Sequence, residues 1–165
     1  MSLAGIIVVI GKGVIQQIGS PQDVYRYPAN LFVATFIGQS NLLPARRTGE
    51  RQLTLFGQTM TRQDLPVTLP IGAAFTLSLR PEELLPRGAE AGEPALTADI
   101  EFIRDMGGSL ELRLNCAGMP VIATVAAAPW RHLRVGEAIP LTFAATAGVI
   151  SHEGEHDDAP APTAV

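Results

Sequence analysis

IEFIRDMGGSLELRL, residues 100–114, is the stretch on which the fold turns. Its second arm, Ser109-Leu110-Glu111-Leu112-Arg113-Leu114, alternates polar and apolar residues without a break. That period of two belongs to a strand with one face on a core and the other in water. Asp105-Met106-Gly107-Gly108 supplies turn residues between the arms, so the stretch predicts an antiparallel hairpin. Outward from it, strand patterns recur at 42–46, 52–55, 58–61, 74–80, 95–104, 109–115, 120–126 and 138–144, separated by turn signals. With 13 prolines and 16 glycines in 165 residues, turns are frequent and long helices are disfavoured. Many short strands with turn-rich joints predict a mainly β protein built as a small, closed or partly closed barrel of the OB kind. Residues 87–94 read as a loop. Residues 151–165, acidic and then rich in Ala and Pro, lack the apolar content to fold, and disorder is expected there.

Towards the N-terminus the period changes. Ser20 followed by Pro21 is a helix start, because the hydroxyl caps free amides, Pro fits the first turn and Asp23 adds favourable charge. Pro28 ends that helix. A second helix is predicted over 30–37, with Phe32 and Phe36 four apart and Gly38 as its stop. Ahead of both, 6–10 and 14–18 read as a hairpin across Gly11-Lys12-Gly13. Its first strand is apolar on both faces, as in a strand covered on both sides, so its sheet is expected to extend beyond this hairpin, and the N-terminus reads as truncated. Left uncovered, Ile6, Ile7, Val8, Val9 and Ile10 are candidates for strand pairing with another copy or for folding back on the barrel.

A net charge of −4 and a pI near 5.3 argue against phosphate-driven binding of nucleic acid. A single cysteine, Cys116, rules out an intramolecular disulfide framework and fits a reducing compartment; it reads as a small turn residue with no base beside it. No apolar run approaches the length of a membrane-spanning helix, and no direct membrane insertion is expected. His152-Glu153-Gly154-Glu155-His156 matches the HExxH pattern literally, but it contains glycine and lacks an apolar face to anchor the helix that zinc chemistry needs. Gly11-Lys12-Gly13 lacks the spacing of a phosphate loop and reads as a turn. His132 reads as a surface histidine. Arg80-Pro81-Glu82-Glu83 reads as an ion-paired strand end, with an interface or regulatory contact as the other possibility. No catalytic residues and no metal ligands are assigned.

Residues 13–43, GVIQQIGSPQDVYRYPANLFVATFIGQSNLL, closely resemble the junction of ATP-binding subunits of bacterial ABC importers of the maltose, polyamine, sulfate and ferric-iron type. In that family, G-x-I-x-Q-x-G-[ST]-P-x-x-[VI]-Y-x-x-P-x-x-x-F-V-A-x-F-I-G-x-x-N joins the nucleotide-binding domain to a C-terminal TOBE domain. Leu79-Arg80-Pro81-Glu82 is similar to the family's I-R-P-E strand end, residues 103–110 to its E-x-L-G-[SG] hairpin, and Val135-Gly136-Glu137 to its V-G-D/E lead into the last strand. Gly5-Ile6 departs from the Asp-Arg that usually precedes the first strand.

The resemblance implies that 1–18 is the last hairpin of an ATPase core, 19–38 a helical connector, 39–150 an OB-like TOBE domain and 151–165 a tail. It implies a regulatory and dimerising role without catalysis by this chain. ATP, Mg2+, Walker A, Walker B and the ABC signature would lie upstream, leaving no cofactor in this chain. A homodimer, a transmembrane permease as partner, and a cytoplasmic location peripheral to the inner membrane follow. Arg80, Glu82, Gly107, Gly108 and Ser109 are the interface or regulatory candidates. The alternative is sensing of a small oxyanion such as molybdate or sulfate, for which Ser40 and Asn41 offer a hydroxyl and an amide.

Overall fold

A computed structural model describes residues 5–62, 65–66, 68–86, 96–143 and 148–151. The protein is mainly β and OB-like, with a hairpin and two short helices ahead of the barrel. Strands β1 (Ile7–Gly11) and β2 (Val14–Gly19) form the hairpin, followed by α1 (Pro21–Arg26) and α2 (Leu31–Phe36). Ser20 caps α1 by accepting from the Asp23 amide at 3.1 Å, and Asn30 caps α2 by accepting from the Val33 amide at 3.0 Å. Each cap satisfies an amide that has no partner within its helix.

One sheet of the barrel contains β3 (Asn41–Gly49), β4 (Gln52–Leu55), β5 (Gln58–Thr61), β6 (Ala74–Leu79) and β12 (Gly148–Ser151), in the order β12-β6-β3-β4-β5. The other contains β7 (Leu84–Pro86), β8 (Leu96–Asp105), β9 (Ser109–Cys116), β10 (Met119–Ala126) and β11 (Ala138–Phe143), in the order β10-β9-β8-β11-β7. All pairings are antiparallel. A 3-10 turn at Pro81–Glu83 carries the chain from β6 in the first sheet to β7 in the second. Because β6 pairs with β12 while β7 pairs with β11, one antiparallel ribbon is shared between the sheets. β10 curls back against β7 and the 3-10 turn, which nearly closes the second sheet on itself.

The hairpin at 100–114 is present, and its register pairs Ile100 with Leu114 and Ile103 with Leu112. Leu110, Leu112 and Leu114 point inward as the alternation predicts, packing with Leu43, Leu77, Phe75 and Leu141 across the core. A bulge between Ile100 and Phe102 resets the alternation of β8, so both Glu101 and Phe102 face solvent. Cys116 closes β9 and lies buried in the barrel core instead of in a turn. Strands β7 and β12 and the short helix α3 (Ala127–Trp130) carry no strong local pattern and were not expected from the sequence. The expected loop at 87–94 and the HExxH match at 152–156 lie outside the described residues, as does all of the expected tail beyond Ser151. Among the described residues no helix is long and apolar enough to cross a membrane.

Candidate functional site

Arg80 follows the last residue of β6, at the start of the 3-10 turn, and is buried, 3% exposed. Its guanidinium meets the C-terminal ends of both connector helices. Nε and Nη2 donate to the Tyr25 carbonyl at 3.1 and 2.8 Å. Nη1 donates to the carbonyls of Ala34 at 3.2 Å, Gln39 at 3.1 Å and Gly38 at 3.4 Å. The last carbonyls of a helix have no intrahelical donor and carry its negative dipole end, so a cation there satisfies orphan acceptors and complements the field. The same guanidinium lies 4.1 Å from the Tyr25 ring centroid, a cation–π contact. The sequence reading of an ion-paired strand end is therefore replaced by a charge solvated by backbone carbonyls.

The neighbouring acids finish the arrangement. Tyr25 donates its hydroxyl to Glu82 at 2.7 Å, and the Arg80 amide donates to the Glu83 carboxylate at 2.7 Å. Burial, and then the bond to Glu82, push the Tyr25 phenol above its ordinary range. In the sequence Tyr25 belongs to the junction motif but not to the candidate site residues. Its partner Glu82 stands 57 positions away, and nothing in local spacing could signal that meeting.

Ser40 and Asn41 sit where the connector enters the barrel. Ser40 Oγ lies 2.9 Å from Ser78 Oγ. Asn41 is buried and works as a side-chain rung between the two sheets. Its Nδ2 donates to the carbonyls of Ile122 at 2.8 Å and Leu79 at 3.2 Å, while its Oδ1 accepts from the Ile122 amide at 2.7 Å. An amide side chain can replace a missing strand neighbour in this way because it carries both donor and acceptor. An open groove of about 440 Å3 runs beside this point, lined by Thr35, Phe36, Gln39, Ser40, Pro81 and Ile122 among others.

Gly107, Gly108 and Ser109 form the tip of the β8–β9 hairpin, far along the chain from Arg80 and Glu82. Gly107 adopts φ of 86°, which favours glycine. Asp105 accepts from the Gly107 amide at 2.7 Å and pairs with Arg131, which also donates to the Gly107 carbonyl at 2.8 Å. The Gly107 bond first, and then Arg131, hold the exposed Asp105 carboxyl below its ordinary range. The Gly108 carbonyl accepts from the Ala127 amide at 3.0 Å, fastening the tip to α3. His132 is exposed in the turn beyond α3, its ring centroid 5.9 Å from that of Trp130.

The five candidate pairing residues split by face. Val9 is buried against Val24 and Val33, with Ile7 packed beside them. Ile6, Val8 and Ile10 face outward with the cross-strand neighbours Ile18 and Ile15, forming an uncovered apolar face in which Ile10 is 59% exposed. The strand expected to be covered on both sides is covered here on one.

The family profile described as the TOBE domain matches residues 77–150, which takes in Arg80, the β8–β9 hairpin and most of the shared ribbon. The sulfate/thiosulfate import ATP-binding protein CysA 2 of Chromobacterium violaceum is 40% identical over 122 residues, covering 73% of this chain and 32% of its own length. The spermidine/putrescine import ATP-binding protein PotA of Pseudomonas fluorescens is 37% identical over 120 residues, covering 70% and 32%. The Fe(3+) ions import ATP-binding protein FbpC of Escherichia coli O157:H7 is 33% identical over 119 residues, covering 72% and 32%. The chain thus spans about a third of the length of these relatives. It carries a TOBE domain of the kind found in the ATP-binding subunits of ABC importers.

Proposed function

We propose that this chain is a regulatory and dimerising module of an importer's ATP-binding subunit, non-catalytic by itself. The observation that carries the reading is the TOBE match together with the connector that Arg80 fastens to it. In this reading the domains run as hairpin 1–18, connector 19–38, barrel 39–150 and tail 151–165. ATP and Mg2+ are handled by the part of the relatives that this chain does not span. The barrel's task is to keep two ATPase units at high effective concentration through cycles of opening and closing. The partners are a second copy and a transmembrane permease, and the location is cytoplasmic at the inner membrane. The Gly107–Ser109 tip, rigidified by Asp105 and Arg131, is the surface offered to the partner copy.

Light scattering behind a sizing column tests this directly, with Gly107→Asp and Ile10→Lys read beside the parent chain. A dimer that Gly107→Asp weakens and Ile10→Lys leaves intact supports a barrel interface. The opposite pattern assigns the dimer to pairing of the uncovered hairpin. For the oxyanion alternative, Ser40 and Asn41 are both engaged within the chain, and titration with molybdate, tungstate or sulfate is expected to release no heat.

A further inference from the structure

The connector and the barrel have separate hydrophobic cores. Val9, Val24 and Val33, with Ile7 and Ile37 against them, form the first. The barrel core includes none of these residues. Between the two bodies the hydrogen bonds run from Arg80 to carbonyls of α1, α2 and Gly38 and from Tyr25 to Glu82, and the buried Pro28 packs beside Gly148 of β12. The covalent link is the short stretch Gly38-Gln39-Ser40, in which Gly38 has φ of 116° and both Gly38 and Gln39 are exposed. The open groove lies along this seam and is lined by Phe36 of α2 together with Pro81 and Ile122 of the barrel.

From this we infer that Arg80 is a latch: its guanidinium holds the connector and its hairpin in one orientation on the barrel, and its release lets them swing about Gly38-Gln39. The hydrogen bonds of the seam suit such a device. Water can replace each hydrogen bond when the latch opens, whereas an apolar seam would expose surface with no compensating partner. Arg80 is a positioning residue in this scheme, and the inference stands whether or not the chain serves a transporter. Lysine cannot replace it fully, because one ammonium cannot reach the α1 and α2 carbonyls together.

The test uses the full chain with spin labels at Lys12→Cys on the hairpin turn and Gln58→Cys on β5, both exposed. Cys116 is buried and its thiol is pushed up to about 11, so it escapes labelling. Pulsed dipolar spectroscopy is expected to give a single narrow distance distribution in the parent, a broad one in Arg80→Ala and an intermediate one in Arg80→Lys, with the near-UV signal of Trp130 retained in all three. An unchanged distribution in Arg80→Ala overturns the latch. Loss of the Trp130 signal in both variants also overturns it, since Arg80 would then be holding the barrel itself.

Discussion

At the scale of single residues, the polar side chains that matter most spend their hydrogen bonds on backbone. Asn41→Leu keeps the branching at Cγ but leaves the Ile122 amide and carbonyl without a partner, and is expected to cost about 2–3 kcal/mol in urea unfolding. Asn41→Asp keeps the acceptor for the Ile122 amide but loses both donated bonds, so it too destabilises. Cys116 gives a pH prediction with a definite sign. Burial first, and Asp99 second, raise its thiol from 9.0 to about 11, so the folded state holds the proton that the unfolded state releases. The stability this contributes is present below pH 9 and is lost as pH rises towards 11. Thermal unfolding across that window checks it: the midpoint falls in the parent and falls less in Cys116→Ser. Asn41 and Arg80 were both visible in the sequence as polar residues at strand ends. Their partners were not, because a side chain bonded to a carbonyl tens of positions away leaves no local pattern.

At the scale of elements, period and caps carried most of the information. The hairpin at 100–114 and the Ser20 cap stand where alternation and capping chemistry place them, while Asn30, read as the first residue of the second helix, is its cap. Asn30→Ala removes the cap of α2 and the bond from Asn30 to Gln16, at an expected cost of about 1 kcal/mol, read as faster amide exchange over 31–37 than over 109–126. Leu112→Ala, at the centre of the barrel core, is expected to cost about 2–5 kcal/mol in the same unfolding assay. The elements that escaped sequence reading are β7, β12 and α3, each three or four residues long. Length alone does not explain this, since β4 and β5 are also four residues long and were expected; Leu84-Leu85-Pro86, Gly148-Val149-Ile150-Ser151 and Ala127-Ala128-Pro129-Trp130 lack a polar–apolar alternation or a helical period. They are strands and helix because neighbours supply the pairing, as β11 does for β7 and β6 does for β12.

At the scale of the molecule, the barrel is a self-contained core, while the hairpin ahead of it turns a row of isoleucine and valine side chains to solvent. Two surfaces are therefore available to a second copy: the tip at Gly107–Ser109 and that apolar face. Whether the chain joins two copies is read by light scattering of the purified chain over a range of concentrations. The expected result is the mass of a dimer that persists on dilution and is lowered by Gly107→Asp. A mass of one chain at every concentration would contradict it.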